Sequence, residues 1–438
     1  MKKISTKALM LSAALALPLA FTSCSNDDDN GASTSTVPAS ELSAVANKYV
    51  NDIVYPTYAD LRTNAKALKD ACDKAYSNAK NNNLTDQDIV DACEAFKDAR
   101  REWERSEAFL YGAAENNEID PHIDSWPLDK DQLVLALNDK DLIAGINGSD
   151  PAKFIYSENG SFQSVIGFHG LEFVLFRNGA PRTADMLNKN ETTEGMTTVK
   201  GIDELAFAAA VAGDIYNMTS LLQYGWNGDS ELGSWLNNNC KWVIDGLKDL
   251  EDSAGALSSA GIGYGQFLLN ATGDKAWFQT WQETLENVLV GGCSNICQEV
   301  YTQKLGQAYR VATGKPESAE ESIDYIESPY SKRSFIDYQD NIYSIKNTLY
   351  GTRDITATTP ETNSLMTIMK KYGYSGYNAL SSALDEAIAA LESAKNSGIA
   401  FVDDPKNAQV KTCIDKVNAL DEELNNAGSW FRKLKVTK

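Results

Sequence analysis

The sequence predicts an all-α protein made of two helical-bundle domains, with a functional site near their interface. Apolar residues recur at helical spacing along most of the chain, which is typical of amphipathic helices. No convincing run of strictly alternating polar and apolar residues indicates a strand, and no glycine-rich phosphate loop follows one. Helices that must each bury one face favour bundle architectures.

Composition and charge exclude several classes of protein. Of the 438 residues, 43% are hydrophobic and 23% are charged, which excludes collagen-like and wholly disordered chains. The 40 Lys and Arg residues against 61 Asp and Glu residues give a net charge of −21. Because nucleic-acid binding relies on clustered Lys and Arg, we expect no nucleic-acid partner. Only two histidines, His122 and His169, are available for metal or acid–base chemistry.

The N-terminus has the pattern of a secretory signal peptide over residues 1–23. A basic start is followed by an apolar run that is too short to span a membrane. Small residues directly before Cys24 resemble the lipobox of a bacterial lipoprotein, which implies a lipidated Cys24. Residues 24–40 are acidic or rich in Ser and Thr and predict a flexible tether. We therefore expect a lipid-anchored envelope protein of a Gram-negative bacterium, in the outer membrane and on either of its faces.

The helices can be placed in order along the chain. A helical pattern covers 41–77, and Thr85 to Asp88 resemble a capping box that opens the next helix. A turn rich in glycine at 224–229 indicates a boundary between an N-terminal domain, 41–228, and a C-terminal domain, 229–438. Further helices are predicted at roughly 161–177, 200–225, 231–253, 274–313, 332–350, 361–372, 376–396 and 406–434.

One pair of cysteines has the spacing of a disulfide bridge. Cys72 and Cys93 lie nearly symmetrically about the turn predicted at 81–84. An antiparallel helical hairpin brings such residues to the same level, and the cell envelope permits disulfides. We therefore predict a bridge between Cys72 and Cys93.

The segment 164–176 carries the most informative pattern in the chain. If helical, it is apolar nearly all round, which indicates a buried helix. His169 and Glu172 are three residues apart and therefore project from one face. A buried carboxylate needs a cation, a hydrogen-bond donor or a proton. Gly167 and Gly170 each weaken a helix, which indicates close approach of another backbone beside that face.

These residues resemble the imelysin-like family, whose hallmark is Gly-x-His-x-x-Glu, here complete from Gly167 to Glu172. Residues 101–109 resemble the family's early helix, and residues 123–129 resemble its Trp-Pro loop. A weaker match covers residues 328–351. The resemblance extends over roughly residues 41–435, with the blocks in the family's order.

The resemblance implies an all-helical, two-domain envelope protein that acts in bacterial iron uptake with iron-transport partner proteins. The family is also classed among metallopeptidases, and the residues bear on that choice. A catalytic zinc needs about three protein ligands and an open position. The reversed zinc signature His-x-x-Glu-His would require a histidine at the position of Phe173. We therefore favour metal binding without turnover and keep a metallopeptidase as the alternative.

Iron or zinc is the expected metal because an imidazole and carboxylates suit both. The predicted ligands are His169, Glu172 and Glu107, and Glu107 shares a helical stripe with Trp103. In the alternative without a metal at Glu172, Arg101 holds this carboxylate through a bidentate pair. Residues expected to line or support the pocket are Arg101, Trp103, Ser106, Gly167, Gly170, Asp124, Trp126, Asp129, Asp337 and Asn341.

A metal-free pocket is a further interpretation of the same residues. Aromatic walls with a few convergent polar groups are typical of sites for small ligands, and a metal chelate is one such ligand. Haem fits less well because the chain offers no second axial candidate beside His169 and no Cys-x-x-Cys-His motif.

Overall fold

Helices dominate the computed structural model, which confirms the all-α fold class. The structure describes residues 36–157, 165–188, 195–247, 263–271 and 277–437. The predicted signal peptide, the lipid-acceptor Cys24 and the tether up to residue 35 lie outside the described residues.

The first half of the chain contains thirteen described helices and three short strands. The helices are α1 (Ala39–Lys48), α2 (Tyr55–Lys80), α3 (Asp86–Glu104), α4 (Ala113–Asn116), α5 (Ile119–Ile123), α6 (Lys130–Asn138), α7 (Lys140–Ile146), α8 (Pro151–Ser157), α9 (Gly167–Leu175), α10 (Ala184–Asn188), α11 (Gly201–Asn227), α12 (Ser230–Asn239) and α13 (Lys241–Leu247). A π-helical turn, Tyr49–Val54, joins α1 to α2, and a 3₁₀ turn, Glu107–Phe109, follows α3. The strands are β1 (Thr36–Pro38), β2 (Phe176–Arg177) and β3 (Ala180–Pro181), of which β2 and β3 pair with each other.

The second half of the described chain is also helical. Its helices are α14 (Gly265–Leu269), α15 (Trp281–Glu286), α16 (Asn295–Glu299), α17 (Gly306–Ala312), α18 (Ser334–Tyr350), α19 (Leu365–Lys371), α20 (Tyr377–Lys395) and α21 (Ala408–Arg432). Two π-helical segments, Asn287–Ser294 and Val300–Lys304, make α15 and α16 parts of one continuous helix, 281–304. The chain ends in strand β4 (Lys435–Thr437).

Two groups of helices carry the core. The first helix group is α2, α3, α9 and α11, and the second is the helix 281–304 with α18, α20 and α21. They meet where α18 packs on α3 and where the turn Glu107–Phe109 packs on the segment Asn287–Ser294. Residues from 35 onward form one compact unit. Helix α11 ends at the predicted boundary, with Gly228 in a left-handed conformation, but a division into two domains stays a prediction.

Helix α11 is the central helix of the first group. It is long and apolar enough to cross a membrane by length and composition, but 94% of its most apolar window is buried inside the protein. It packs on α2, α8 and α9. Its apolar character on all sides is therefore explained by burial in the core.

The described chain begins at residue 36, within the tether predicted for residues 24–40. Strand β1 pairs in parallel with β4, and Val37 opposite Val436 is fully buried. Helix α1 then begins at Ala39. Strand β4 supplies the backbone hydrogen-bond partners of β1. The sequence around residues 36–40 does not reveal this distant partner.

The hairpin of α2 and α3 corrects one prediction and confirms another. Thr85 caps α3 as a capping box: its side chain accepts a hydrogen bond from the Asp88 backbone, and the Asp88 carboxylate accepts one from the Thr85 backbone. Cys72 and Cys93 lie on facing helices, but both are free, buried thiols and form no bridge. The Cys93 thiol donates instead to the carbonyl oxygen of Leu175, 3.5 Å away, in α9. Burial raises the pKa of Cys93 to about 12.

Two glycines set the position of α9. Gly167 opens the helix with φ +76°, and a Cβ atom there would lie 2.1 Å from the carbonyl oxygen of Ile123. A Cβ atom at Gly170 would lie 1.8 Å from the carbonyl oxygen of Val165. Only glycine lets the backbone of α5 and the turn before α9 approach this closely.

The substitution Gly170→Ala tests this packing. We expect it to lower the free energy of unfolding by at least about 1–3 kcal/mol, the cost of overpacking a buried site. Denaturant unfolding monitored by circular dichroism measures the change. Gly213→Ala in α11 is the control, because its Cβ would lie 3.2 Å from the nearest atom, the Cβ of Ala152. Equal losses in both variants would contradict this account of α9.

Arg100 links the two helix groups. It lies on α3 and is fully buried, and its guanidinium contacts Glu104 and Asp124 in the first half of the chain. The same guanidinium contacts Glu327 and lies 3.9 Å from Asp337 in the second half. Four carboxylates from both halves therefore share one buried cation.

Removal of the buried Arg100 guanidinium should lower the stability of the fold far more than removal of the neighbouring Arg101 guanidinium. We expect Arg100→Met to destabilise the protein by about 3–5 kcal/mol, because breaking a buried ion pair leaves uncompensated charge. The matched control is Arg101→Met, which removes a cation that is 36% exposed and should change stability by less than about 0.5 kcal/mol. Thermal and denaturant unfolding of the two variants measure the difference, and similar losses would refute the assignment.

Candidate functional site

Asp124 lies at the centre of the site, directly after α5. The indole N–H of Trp103 donates to its Oδ2 atom at 2.7 Å. Its Oδ1 atom contacts Arg100 and lies 3.1 Å from Nε2 of His169. Burial opposes ionisation of Asp124, but the neighbouring Arg100 and His169 outweigh it and hold the pKa of this carboxyl well below its usual range. Asp124 is therefore a carboxylate in the folded protein.

His169 and Glu172 are buried together on α9. The Nδ1 atom of His169 lies 3.9 Å from Oε2 of Glu172. The opposite ring nitrogen, Nε2, faces Oδ1 of Asp124 and, at 3.9 Å, Oε1 of Glu327. Burial lowers the pKa of the imidazole, but the carboxylates of Asp124 and Glu172 outweigh it and raise the pKa to about 9. The imidazole therefore has a carboxylate on each side.

Glu172 is held from its other side by Ser331. The backbone N–H of Ser331 donates to Oε1 of Glu172 at 2.7 Å, and the hydroxyl of Ser331 donates to the same atom at 2.6 Å. Oε2 of Glu172 and Nε2 of His169 are both buried and make no hydrogen bond to any part of the chain that the structure describes. The contact of Nε2 with Asp124 is thus an electrostatic approach without hydrogen-bond alignment.

The loop before α18 and the first turn of α18 supply the carboxylates of the second half. Glu327 is fully buried, and its backbone carbonyl accepts a hydrogen bond from the hydroxyl of Ser334. The Ser328 hydroxyl donates to Asp337, and burial is the main cause that raises the pKa of Asp337 to about 6. One serine hydroxyl therefore holds the carboxylate of Asp337, and another holds the backbone at Glu327.

Glu104 and Glu107 form a second group of acids, which adjoins Asp124. Glu104 accepts a hydrogen bond from the side chain of Asn341. Glu107 lies 3.4 Å from the ammonium of Lys304, which also lies 3.1 Å from Glu327. Burial is the main cause that raises the pKa of both Glu104 and Glu107 well above the usual range. Lys304 therefore bridges the two groups of acids.

The site contains more buried acids than buried cations. We call it the buried charge cluster, and its carboxylates are Glu104, Glu107, Asp124, Glu172, Glu327 and Asp337. Among the described residues, Arg100 and Lys304 are the fully buried permanent cations that contact them, and the partly buried Arg333 lies 3.5 Å from Asp337. Even with a protonated His169, the six carboxylates outnumber the cations by two. Unbalanced buried charge is costly, so the cluster is suited to take up protons or a cation.

The donor atoms fit a metal ion. Asp124, His169 and Glu327 each offer one ligand atom, and these three atoms all lie within 4.8 Å of one another. Glu104, Glu107 and Asp124 meet the same criterion. One imidazole with carboxylates is a donor set for iron, manganese or zinc. The first group contains the buried nitrogen without a hydrogen bond, and we name it the candidate metal site.

Some residues predicted from the sequence lie outside this site. Arg101 does not hold Glu172, because it is half-exposed and pairs with Asp98 and Glu102. Asp129 is exposed, and its carboxylate caps α6 by accepting a hydrogen bond from the backbone of Gln132.

Two further predicted residues lie at the margin. The buried Ser106 hydroxyl donates to the carbonyl of Trp103, which closes the end of α3. Trp126 is half-buried, stacks on Tyr325 with ring centres 4.3 Å apart, and lies 5.7 Å from the Lys304 ammonium. Trp103, Asp124, Asp337 and Asn341 belong to the cluster, and Glu107 belongs to the second group of acids.

Sequence reasoning missed Arg100, Lys304, Glu327 and Ser331. For Arg100 a signal existed, because it continues the apolar stripe of α3 through Phe96 and Trp103. A charged residue that continues a buried apolar stripe is itself buried. Arg100 lies on that stripe, whereas Arg101 lies beside it. Ser331 lies in the block 328–351 that resembles the family but was not assigned to the site, and Lys304 and Glu327 carried no comparable local signal.

Comparison with known proteins identifies relatives for the whole fold. The imelysin family model (Peptidase M75) matches residues 54–427. Iron-regulated protein A of Synechococcus elongatus is 27% identical over 137 residues, which are 31% of this chain and 32% of that protein. The match therefore spans about a third of the length of this curated relative.

Two solved structures share the fold. A structure described as an iron-regulated protein A precursor from Parabacteroides distasonis has a TM-score of 0.70 and 25% identity, and covers 91% of this chain and 97% of its own. An imelysin-like protein from Psychrobacter arcticum has a TM-score of 0.53 and 14% identity, with 88% and 94% covered, and supports the fold alone. Because the family model matches most of its length, the chain belongs to the imelysin family.

Proposed function

We propose that this chain binds a metal ion, iron in particular, at the bacterial cell envelope through Asp124, His169 and Glu327. One observation carries the proposal. Among the described residues, the buried Nε2 atom of His169 makes no hydrogen bond and faces two carboxylates, in a cluster that holds more carboxyl groups than cations. Such an arrangement is unfavourable unless a cation or protons complete it.

The residues of the site have separate roles in this proposal. Asp124 and Glu327 are the oxygen ligands, and Nε2 of His169 is the nitrogen ligand. Glu172 positions the imidazole from behind through Nδ1, and Ser331 holds Glu172. A carboxylate behind a metal-binding histidine fixes the orientation and tautomer of its ring. A bound iron ion would supply the positive charge that the carboxylates lack. Glu172 is thus a positioning residue here, in place of the ligand role predicted from the sequence.

The donor atoms are compatible with iron, and the names of two relatives favour iron over other metals. Imidazole and carboxylate donors suit iron, although they suit zinc and manganese as well. The relatives from Synechococcus elongatus and Parabacteroides distasonis are named iron-regulated protein A. A protein that responds to iron and presents such donors fits capture or relay of iron without chemical turnover.

The envelope location is supported by the sequence before residue 36. A basic and apolar start, followed by small residues and Cys24, has the order of a lipoprotein signal. A lipidated Cys24 would hold the protein at the outer membrane of a Gram-negative bacterium. The residues that follow Cys24 would act as a spacer between the membrane and β1.

Metal binding should stabilise the folded protein and should require the candidate metal site. At a metal concentration 100 times the dissociation constant, linkage predicts a gain of about 2.7 kcal/mol. We expect Fe²⁺ under anaerobic conditions, or Zn²⁺, to raise the unfolding temperature of the wild type. His169→Ala and Glu327→Gln should abolish that rise. Differential scanning calorimetry with and without metal measures it.

The matched control for Glu327→Gln is Asp421→Asn. Asp421 is a buried carboxylate in α21 that accepts a hydrogen bond from Ser294, outside both groups of acids. This variant should lose stability but keep the rise with metal. Elemental analysis of protein purified without chelators or a polyhistidine tag gives an independent measure. A rise with ferric citrate but not with free ions would favour a chelate-binding module over this proposal.

Peptidase activity is the alternative, and burial of the site speaks against it. His169 is 3% exposed and Glu172 is fully buried, whereas a catalytic metal needs an open position that a peptide can reach. We expect metal-loaded protein to leave an unfolded substrate such as reduced casein uncleaved over hours, as judged by gel electrophoresis. Cleavage that disappears in Glu172→Gln while the metal stays bound would overturn this expectation.

A further inference from the structure

We propose that Lys304 is an internal exchangeable cation, whose ammonium occupies the buried charge cluster when the candidate metal site is empty and leaves it when a metal binds. The inference rests on the proposed function and adds that the ammonium of Lys304 and the metal ion replace each other in the cluster. It makes Lys304 the residue that limits metal affinity and permits release.

The ammonium of Lys304 contacts one carboxylate of the candidate metal site, Glu327, and one carboxylate of the second group of acids, Glu107. It lies 3.1 and 3.2 Å from the two oxygens of Glu327 and 3.4 Å from Glu107, and the residue is 1% exposed. The carboxylate of Glu327 therefore cannot face a metal and the ammonium equally well, because both cations compete for the same oxygens. Repulsion between two cations a few ångströms apart is strong in a protein interior.

Arg100 and Lys304 differ in their freedom to move. The Arg100 guanidinium is a planar fork that contacts Asp124, Glu104 and Glu327 at once. Lysine carries a compact charge on a flexible four-carbon stem. Lys304 makes no contact with Asp124 or Glu104 within ion-pair distance in the described structure. Lys304 can thus leave while Arg100 stays.

A destination for the ammonium lies on the outer side of the cluster. Glu299 lies 3.9 Å from the Lys304 ammonium, and its side chain is 40% exposed. Both residues belong to the end of the helix 281–304, where Val300–Lys304 is π-helical, a geometry that is frequent at functional sites. The half-buried Trp126 ring lies 5.7 Å from the ammonium. A rotation of the lysine stem toward Glu299 would move the charge outward along this wall.

The exchange keeps the charge of the cluster nearly constant. With the ammonium inside, Glu107 and Glu327 have a counter-ion. With a divalent metal inside and the ammonium at Glu299, the exchange of the two cations would add one positive charge, and the proton that His169 must release before Nε2 can bind a metal would offset it. Binding therefore costs the ion pair of Lys304, and release regains it.

The first test compares metal affinity in Lys304→Met and in the wild type. Isothermal titration with Fe²⁺ under anaerobic conditions, or with Zn²⁺, should show at least about tenfold tighter binding in Lys304→Met, since a neighbouring like charge is removed. The metal-free variant should unfold at a lower temperature. Lys371→Met is the matched control: this exposed lysine pairs with Glu41, and its loss should leave the affinity unchanged.

The second test needs no substitution in the cluster. Acylation of lysines by an N-hydroxysuccinimide ester, followed by peptide mass spectrometry, should label Lys304 several times faster when Zn²⁺ is bound. Lys346 is the internal control, because it is buried and donates to the carbonyl of Ile355, and its labelling should not change. Glu299→Gln should weaken metal binding, since it removes the destination of the ammonium, although Glu299 belongs to neither group of ligands.

The outcomes separate this inference from the proposed function. Metal binding by the wild type with unchanged labelling of Lys304, and with no tighter binding in Lys304→Met, would overturn the exchange and leave the metal site standing. Absence of metal binding in the wild type and in Lys304→Met would overturn both. Binding by Lys304→Met alone would overturn both, because the ammonium of the wild-type chain would then block the site and would not leave it.

Discussion

The buried charge cluster is the constraint on which the rest of the structure depends. Its six carboxylates come from α3, the 3₁₀ turn Glu107–Phe109, the residue after α5, α9, the loop before α18 and α18 itself. A buried carboxylate without a partner costs several kcal/mol, so each of these elements must bring its acid to Arg100, Lys304 or a serine donor. An apolar cluster of the same volume would be at least as stable. The acids are therefore best explained by what they bind.

Backbone contacts, more than side-chain packing, place the atoms of the candidate metal site. The carbonyl oxygen of Ile123 occupies the space that a side chain at Gly167 would fill, and Asp124 is the next residue after Ile123. The distance between Asp124 and His169 is therefore set by a glycine contact between α5 and α9. On the other side of the imidazole, a backbone N–H of Ser331 fixes Glu172. Main-chain contacts of this kind are short and rigid, which preorganises the ligands.

The sequence predicted those features that depend on neighbours along the chain. The capping box at Thr85, the buried helix around His169 and the helical character of the chain follow from local spacing and propensity. Arg100 and Arg101 show the limit, because adjacent residues on a helix point about 100° apart and only one continues the buried stripe. Glu327 and Lys304 were out of reach, since no periodicity within a helix reveals which distant element packs against it. Asp129 was assigned to the pocket by proximity in sequence, whereas its carboxylate satisfies the start of a helix.

The presence of cations inside the cluster distinguishes this protein from one that folds around its metal. Structural metal sites contribute folding energy directly, and such domains unfold when the metal is removed. Here Arg100 and Lys304 neutralise part of the acid charge within the protein itself, and burial favours protonation of Glu104 and Glu107 by raising their pKa. We therefore expect the fold to form without a metal, because protons and internal cations substitute for it. A site of this kind can fill and empty without unfolding, which is the property that a carrier needs and a structural site does not.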